Sequence, residues 1–101
     1  MTAGGVRVLL FHTAHGVEDI RQAYEVVSRR LAGVPGLLGN ELLQSADDRT
    51  DFVVLSWWQD MDAFVSWERG QEHRNDTAPL RPYRGGRRGA PFGIYQVLAA
   101  H

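Results

Sequence analysis

The 101-residue chain has no cysteine and no lysine. The first absence removes disulfides, thiol nucleophiles, thiolate-ligated zinc and iron–sulfur clusters. The second removes Schiff-base chemistry and a lysine-bound pyridoxal cofactor. Charge of one sign is also missing, with a formal net charge of −1, so nucleic acid is not expected as the main partner. No apolar run is long enough to span a bilayer, and the start MTAGGVRVLL has no basic region ahead of its apolar stretch. No membrane association is expected, and the cytoplasm is the expected compartment. The basic residues that are present are all arginine. They are unevenly placed: residues 1–76 carry 7 arginines against 12 acids, whereas 77–101 carry 4 arginines and no acid.

The length fits one domain over residues 1–101. Val6 to Thr13 reads as a strand with apolar residues on both faces, interrupted only by Arg7 and His12. From Val17, the residues Ile20, Ala23, Tyr24, Val27 and Leu31 form an amphipathic helical stripe. Acids lead that helix and arginines close it, in keeping with its dipole. Gly33 and the turn Val34-Pro35-Gly36 stop it. Leu37 to Ser45 is a second strand, and a polar turn leads into a third at Asp51. Phe52, Val53, Val54, Leu55, Trp57 and Trp58 leave neither face of that strand polar, so it belongs in the middle of a sheet. Asp60 is the expected N-cap of a second helix from Met61 to Arg69, with Phe64 and Trp67 on one face. A further turn is expected over residues 72–78, a loop over 79–90, and a last strand from Phe92 to Ala99.

The order β-α-β-β-α-β specifies an α+β, ferredoxin-like fold. Right-handed crossovers place strands one and three centrally and both helices on one face of a four-stranded antiparallel sheet. Both central strands are apolar on the other face too, and a lone protomer would expose an unusually large patch there. A homodimer packed sheet to sheet is the expected remedy.

Several motifs add to this pattern: Pro35-Gly36-Leu37, Val53-Val54-Leu55-Ser56-Trp57-Trp58, Ala63-Phe64-Val65-Ser66-Trp67 and Gly70-Gln71-Glu72-His73. Together they resemble the antibiotic biosynthesis monooxygenase family, whose members form dimeric α/β barrels. The resemblance implies a small enzyme of secondary metabolism, a cofactor-free monooxygenase or cyclase acting on a flat aromatic, polyketide-like substrate. It also leaves two alternatives, a haem-binding or haem-degrading oxygenase and a non-catalytic dimeric binding protein. In the polyketide oxygenases the tryptophan matching Trp58 lines the pocket, with an asparagine four residues earlier and a tyrosine six later. Here those positions are Val54 and Phe64. In the haem-degrading members a tryptophan like Trp67 precedes the iron-binding histidine by ten residues, and their catalytic asparagine falls near Leu9. Position 77 here is Thr77.

The candidate residues follow. His73, after the aromatic helix, is the first choice of general base, because imidazole titrates near neutral pH. His12 on the central strand is the second. Arg81 and Tyr83 are candidates to steady a phenolate or enolate. Leu9, Phe11, Val54, Trp58, Phe64 and Trp67 are the expected pocket walls. The four histidines are scattered, with no metal-ligand spacing, so no metal is expected. A dinucleotide cofactor would need a glycine-rich turn opening a helix, whereas Gly85-Gly86-Arg87-Arg88-Gly89 precedes a strand. No cofactor is expected.

Overall fold

The computed structural model describes residues 4–70, 72–85 and 91–101, without the side chains of residues 72–74. The elements are β1 (Val6–Thr13), α1 (Val17–Leu31), β2 (Leu37–Gln44), β3 (Asp51–Trp58), α2 (Met61–Arg69), α3 (Glu72–Thr77), a 3₁₀ segment (Ala78–Tyr83) and β4 (Phe92–Gln96). The strands form one antiparallel sheet in the order β2-β3-β1-β4. The two apolar strands therefore occupy the middle, as their sequences require, and the fold is ferredoxin-like.

Strand register decides what faces the helices. Val6 pairs with Trp58, Val8 with Ser56, Leu10 with Val54 and His12 with Phe52. Directly paired residues share a face, and alternate residues along a strand change face. The helix side of the sheet thus carries the even-numbered residues of β1 and β3, with Asn40 and Leu42 from β2. Val6, Val8, Phe52, Val54 and Trp58 are all buried there. Ile20, Val27 and Leu31 pack down on them from α1, and Phe64 from α2.

Local chemistry sets the helix positions. The Asp60 carboxylate accepts a hydrogen bond from the Ala63 amide at 2.8 Å, capping α2 as expected. Gly36 has φ +81, and a Cβ at that position would overlap the Ala63 side chain. The turn into β2 therefore needs glycine both for its backbone conformation and to let α2 approach. Arg30 of α1 donates to the Asn75 carbonyl at 2.7 Å and ties α3 to the first helix.

Two expectations need correction. Residues 78–83 form a 3₁₀ segment rather than loop, and the buried Leu80 pins it to the core. Its prolines are compatible with a short tight helix whose backbone donors are few. The last strand ends at Gln96 rather than Ala99, and Leu98 beyond it is 87 % exposed. Among the described residues no helix is long and apolar enough to cross a membrane.

The other sheet face carries Leu9, Val53, Leu55 and Trp57, all half-buried, with Leu43 and Tyr95 exposed. Gly39 of β2 lies beneath the Trp57 indole, where any side chain would collide with the ring.

Candidate active site

A cavity of about 480 Å³ lies between the sheet and the helices. Every element contributes to its lining. The strand residues are Val8, Leu10 and His12 of β1, Asn40 of β2, and Val54, Ser56 and Trp58 of β3. Phe64, Trp67 and Glu68 come from α2, Val27 and Leu31 from α1, and Thr77 from α3. Leu80, Arg81, Arg84, Pro91 and Phe92 complete it. A larger groove of about 630 Å³ runs between the turn after α1 and the outer side of α2, but it is open. No buried titratable group stands in it, so the inner cavity is the better place for chemistry.

One end of the cavity is aromatic. Trp58 meets Phe64 edge-on, with centroids 5.5 Å apart, and Trp67 at 5.3 Å in a tilted arrangement. The Trp58 indole N–H donates to the Ser56 hydroxyl at 3.0 Å, which fixes the ring orientation. Such rings offer flat apolar walls for a planar guest. The side of the cavity at β2 is polar: the Tyr24 hydroxyl donates to the Asn40 side-chain oxygen. Burial pushes the Tyr24 hydroxyl up from its ordinary value, more than its hydrogen bond with Ser28 lowers it.

At the far end stands His12, only 4 % exposed. Its Nδ1 lies 2.9 Å from the Leu10 carbonyl oxygen. A carbonyl can only accept, so Nδ1 carries the proton and Nε2 keeps its lone pair. Burial lowers the His12 pKa, the Leu10 hydrogen bond opposes this in part, and the nearby Arg84 charge lowers it further. The imidazole is accordingly neutral at neutral pH, in one tautomer, and able to take a proton at Nε2.

The expected site residues divide as follows. Val54, Trp58, Phe64, Trp67 and Arg81 all line the cavity. Leu9 and Phe11 do not. They pair with Leu55 and Val53 on the opposite sheet face, because β1 presents its even-numbered residues to the helices. Tyr83 is half-buried and packs against the core beside Leu80 without lining the cavity. His73 lies on the α3 backbone, but its side chain falls outside the described residues. Asn40, Ser56 and Glu68 join the lining without having been singled out from the sequence. Strand alternation from Trp58 and Val54 points to Ser56; the cross-strand neighbour Asn40 follows only once the register is known. Among the described residues, no group of three or more histidine or acidic side chains gathers as metal ligands.

This fold and these motifs coincide with a known family. The family model for antibiotic biosynthesis monooxygenase matches residues 8–75, two-thirds of the chain and most of the cavity lining. The chain belongs to the antibiotic biosynthesis monooxygenase family. Within curated proteins it is 30 % identical over 93 residues to protein SchA of Streptomyces halstedii, covering 91 % of this chain and 24 % of SchA. It is 32 % identical over 77 residues to a 42.8 kDa protein in the whiE locus of Streptomyces coelicolor, covering 74 % of this chain and 19 % of that protein. The chain thus spans about a quarter or less of the length of these relatives. Among solved structures, a mutant form of SnoaB, a cofactor-independent oxygenase from Streptomyces nogalater, superimposes with a TM-score of 0.79 at 20 % identity, over 97 % of both chains. A family member from Caulobacter crescentus gives 0.71 at 18 % identity, over 98 % of this chain and 92 % of that one. At such identities these likenesses establish the shared fold.

Proposed function

We propose that the protein is a small oxygenase or cyclase of secondary metabolism that binds a flat, phenolic, polyketide-like molecule in the inner cavity. The observation that carries this reading is a buried, neutral imidazole in a fixed tautomer at one end of an aromatic-walled cavity. SnoaB's description as a cofactor-independent oxygenase and the Streptomyces relatives support the same direction.

In the oxygenase form, His12 Nε2 removes a proton from an acidic C–H or phenol of the substrate. The resulting carbanion or enolate is the reductant. It passes electrons to O₂, a C–O bond forms as a hydroperoxide, and loss of water leaves a carbonyl at the former CH₂. One oxygen atom stays in the product and the other leaves as water. In the cyclase form the same carbanion attacks a carbonyl of its own chain. Arg81, in the cavity lining, offsets the anionic charge in this reading, and the aromatic wall holds the ring plane. His73 is the competing base, from the start of α3.

The same reading includes a homodimer. Leu9, Val53, Leu55, Trp57, Leu43 and Tyr95 form an apolar face that a second copy would cover.

The test is oxygen consumption and product analysis with 1,8-dihydroxyanthrone, which is planar and has an acidic CH₂. Conversion to the anthraquinone above the spontaneous rate is expected. His12→Asn should lower the rate by roughly 10²–10⁴-fold, the usual worth of a general base. If His73→Ala produced that loss and His12→Asn did not, the base assignment would move to His73. A strong Soret band on haem titration would overturn the reading in favour of haem chemistry.

A further inference from the structure

Two polar side chains stand on the sheet between the aromatic end of the cavity and His12, and both have their acceptor side occupied. Asn40 of β2 and Ser56 of β3 are directly paired across the strands, on the face that meets the helices. Ser56 Oγ receives the Trp58 indole N–H at 3.0 Å. An indole nitrogen only donates, so Ser56 accepts there and keeps its own proton to give. Asn40 Oδ1 receives the Tyr24 hydroxyl from α1. Tyr24 is in turn hydrogen-bonded to Ser28 in the sense that lowers the phenol's pKa, so Ser28 donates to the Tyr24 oxygen and the phenol passes its one proton to Asn40. Burial acts more strongly in the other direction and keeps Tyr24 protonated. With Oδ1 committed, Asn40 has its two Nδ2 donors left. Neither these nor the Ser56 proton has an acceptor among the described residues.

We infer that Asn40 and Ser56 form a two-donor oxyanion site for the enolate oxygen that appears when His12 takes the proton, with Tyr24 as the residue that positions Asn40. This rests on the proposed use of the cavity and adds the groups that receive the charge. The Cβ atoms of directly opposed residues lie about 5 Å apart. Two donors rooted that way can close on one oxygen at about 2.8–3.0 Å each. Both are oriented in advance, one by an indole and the other by a phenol, so they need not reorganise as charge develops. The distance to the base suits the same step. Val8, opposite Ser56, lies about 13 Å from His12 along β1 at the usual strand rise. A C–H and a carbonyl oxygen across one six-membered ring are about 4 Å apart, and about 3 Å at each end for the hydrogen bonds makes a span of about 10 Å. The difference is within the reach of the side chains. His12 Nε2 takes the proton, the C–H electron pair moves into the ring system, and the negative charge arrives on the carbonyl oxygen at the two donors. Arg81, exposed at the cavity border, offsets the net charge, while Asn40 and Ser56 bind the oxygen itself. The oxygenase and cyclase forms share this enolate, so the donor pair serves either.

The experiment reads the donor pair without turnover. 2-Hydroxyanthraquinone is flat, has no CH₂ from which to lose a proton, and changes its visible spectrum on ionisation. Bound to the unaltered protein at fixed pH, its phenolate-to-phenol ratio should exceed that in buffer by about tenfold, one pKa unit. Asn40→Leu, and the same-shaped Asn40→Asp, should remove most of that excess, and Ser56→Ala should reduce it, while tryptophan quenching still reports binding of the neutral form. Tyr24→Phe should lower the ratio by about threefold, the worth of a modest hydrogen bond. In an Asn40→Leu background it should change nothing further, whereas a merely structural loss would add in both. With 1,8-dihydroxyanthrone, Asn40→Leu should lower kcat by roughly 10²-fold with KM little changed. A phenolate excess untouched by the Asn40 and Ser56 substitutions would overturn the inference, and so would unaltered kcat in those variants. An excess that depends on both residues, in a protein inert towards the anthrone, would uphold the donor pair and sink the proposed reaction. Failure of the probe to bind would overturn both.

Discussion

Trp57 and Trp58 are neighbours in sequence and opposites in role, which makes Trp58→Ala a sharp test. Trp58 is 1 % exposed, contacts two aromatic rings, and donates its indole N–H to Ser56. Truncating a buried tryptophan to alanine costs about 3–5 kcal/mol. The two ring pairs account for about 0.5–1.5 kcal/mol each beyond simple burial. A domain of this size has a total stability of about 5–15 kcal/mol, so the loss is a large fraction of it. At about 4–8 °C per kcal/mol, the melting temperature should fall by at least ~12 °C. Urea denaturation followed by far-UV circular dichroism measures the change without relying on the deleted chromophore. Trp57→Glu is the contrasting variant. It should leave the protomer folded, because Trp57 lies half-buried across Gly39 on the outer face, and in sedimentation velocity it should shift the proposed dimer towards monomer. A Trp58→Ala protein within about 1 kcal/mol of the parent would refute the packing argument. A parent protein that sediments as a monomer at micromolar concentration would refute the dimer.

Two further outcomes follow from single groups. The folded state lowers the His12 pKa from its ordinary 6.5, so the unfolded chain binds the proton more readily. Stability should therefore be full above about pH 6.5 and fall as the pH drops from there towards the lowered folded value. His12→Leu should flatten that part of a stability–pH curve, with Arg81, Arg84 and Glu68 still bordering the cavity; an unchanged slope would contradict a buried neutral imidazole. Gly36→Ala combines a left-handed backbone, at about 1–2 kcal/mol, with overpacking against Ala63, at about 1–3 kcal/mol. A loss of at least ~2 kcal/mol in chemical denaturation is expected, and a neutral effect would mean that α2 can move aside.

The sequence made the sheet legible because β1 and β3 are apolar on both faces and the crossover rules leave few alternatives. The faces of β3 were equally readable, since Val54 and Trp58 share a phase with Phe52 and Ser56. The phase of β1 was not. Its two ionisable residues, Arg7 and His12, lie an odd number of positions apart and so occupy opposite faces, and neither betrays which side meets the helices. Only long-range pairing with Trp58 and Phe52 decides it. That is why the sequence alone points to Leu9 and Phe11 as walls. The 3₁₀ segment was hidden for a different reason. Its prolines read locally as loop, whereas Leu80 anchors it through tertiary burial that no local pattern reveals.

The cavity draws its lining from both helices, all four strands and the segments between α2 and β4. A bound aromatic molecule would therefore act as one more core side chain, shared by elements that are distant in sequence. Its binding free energy would appear in the cooperativity of the entire domain, adding about 2.7 kcal/mol to stability at a hundredfold excess over Kd. Amide exchange should slow together in β1, α1 and α2 on occupancy, rather than at a single loop. Ligand recognition and folding would then draw on the same set of contacts, and a change that reshapes the cavity would also alter how long the chain stays folded.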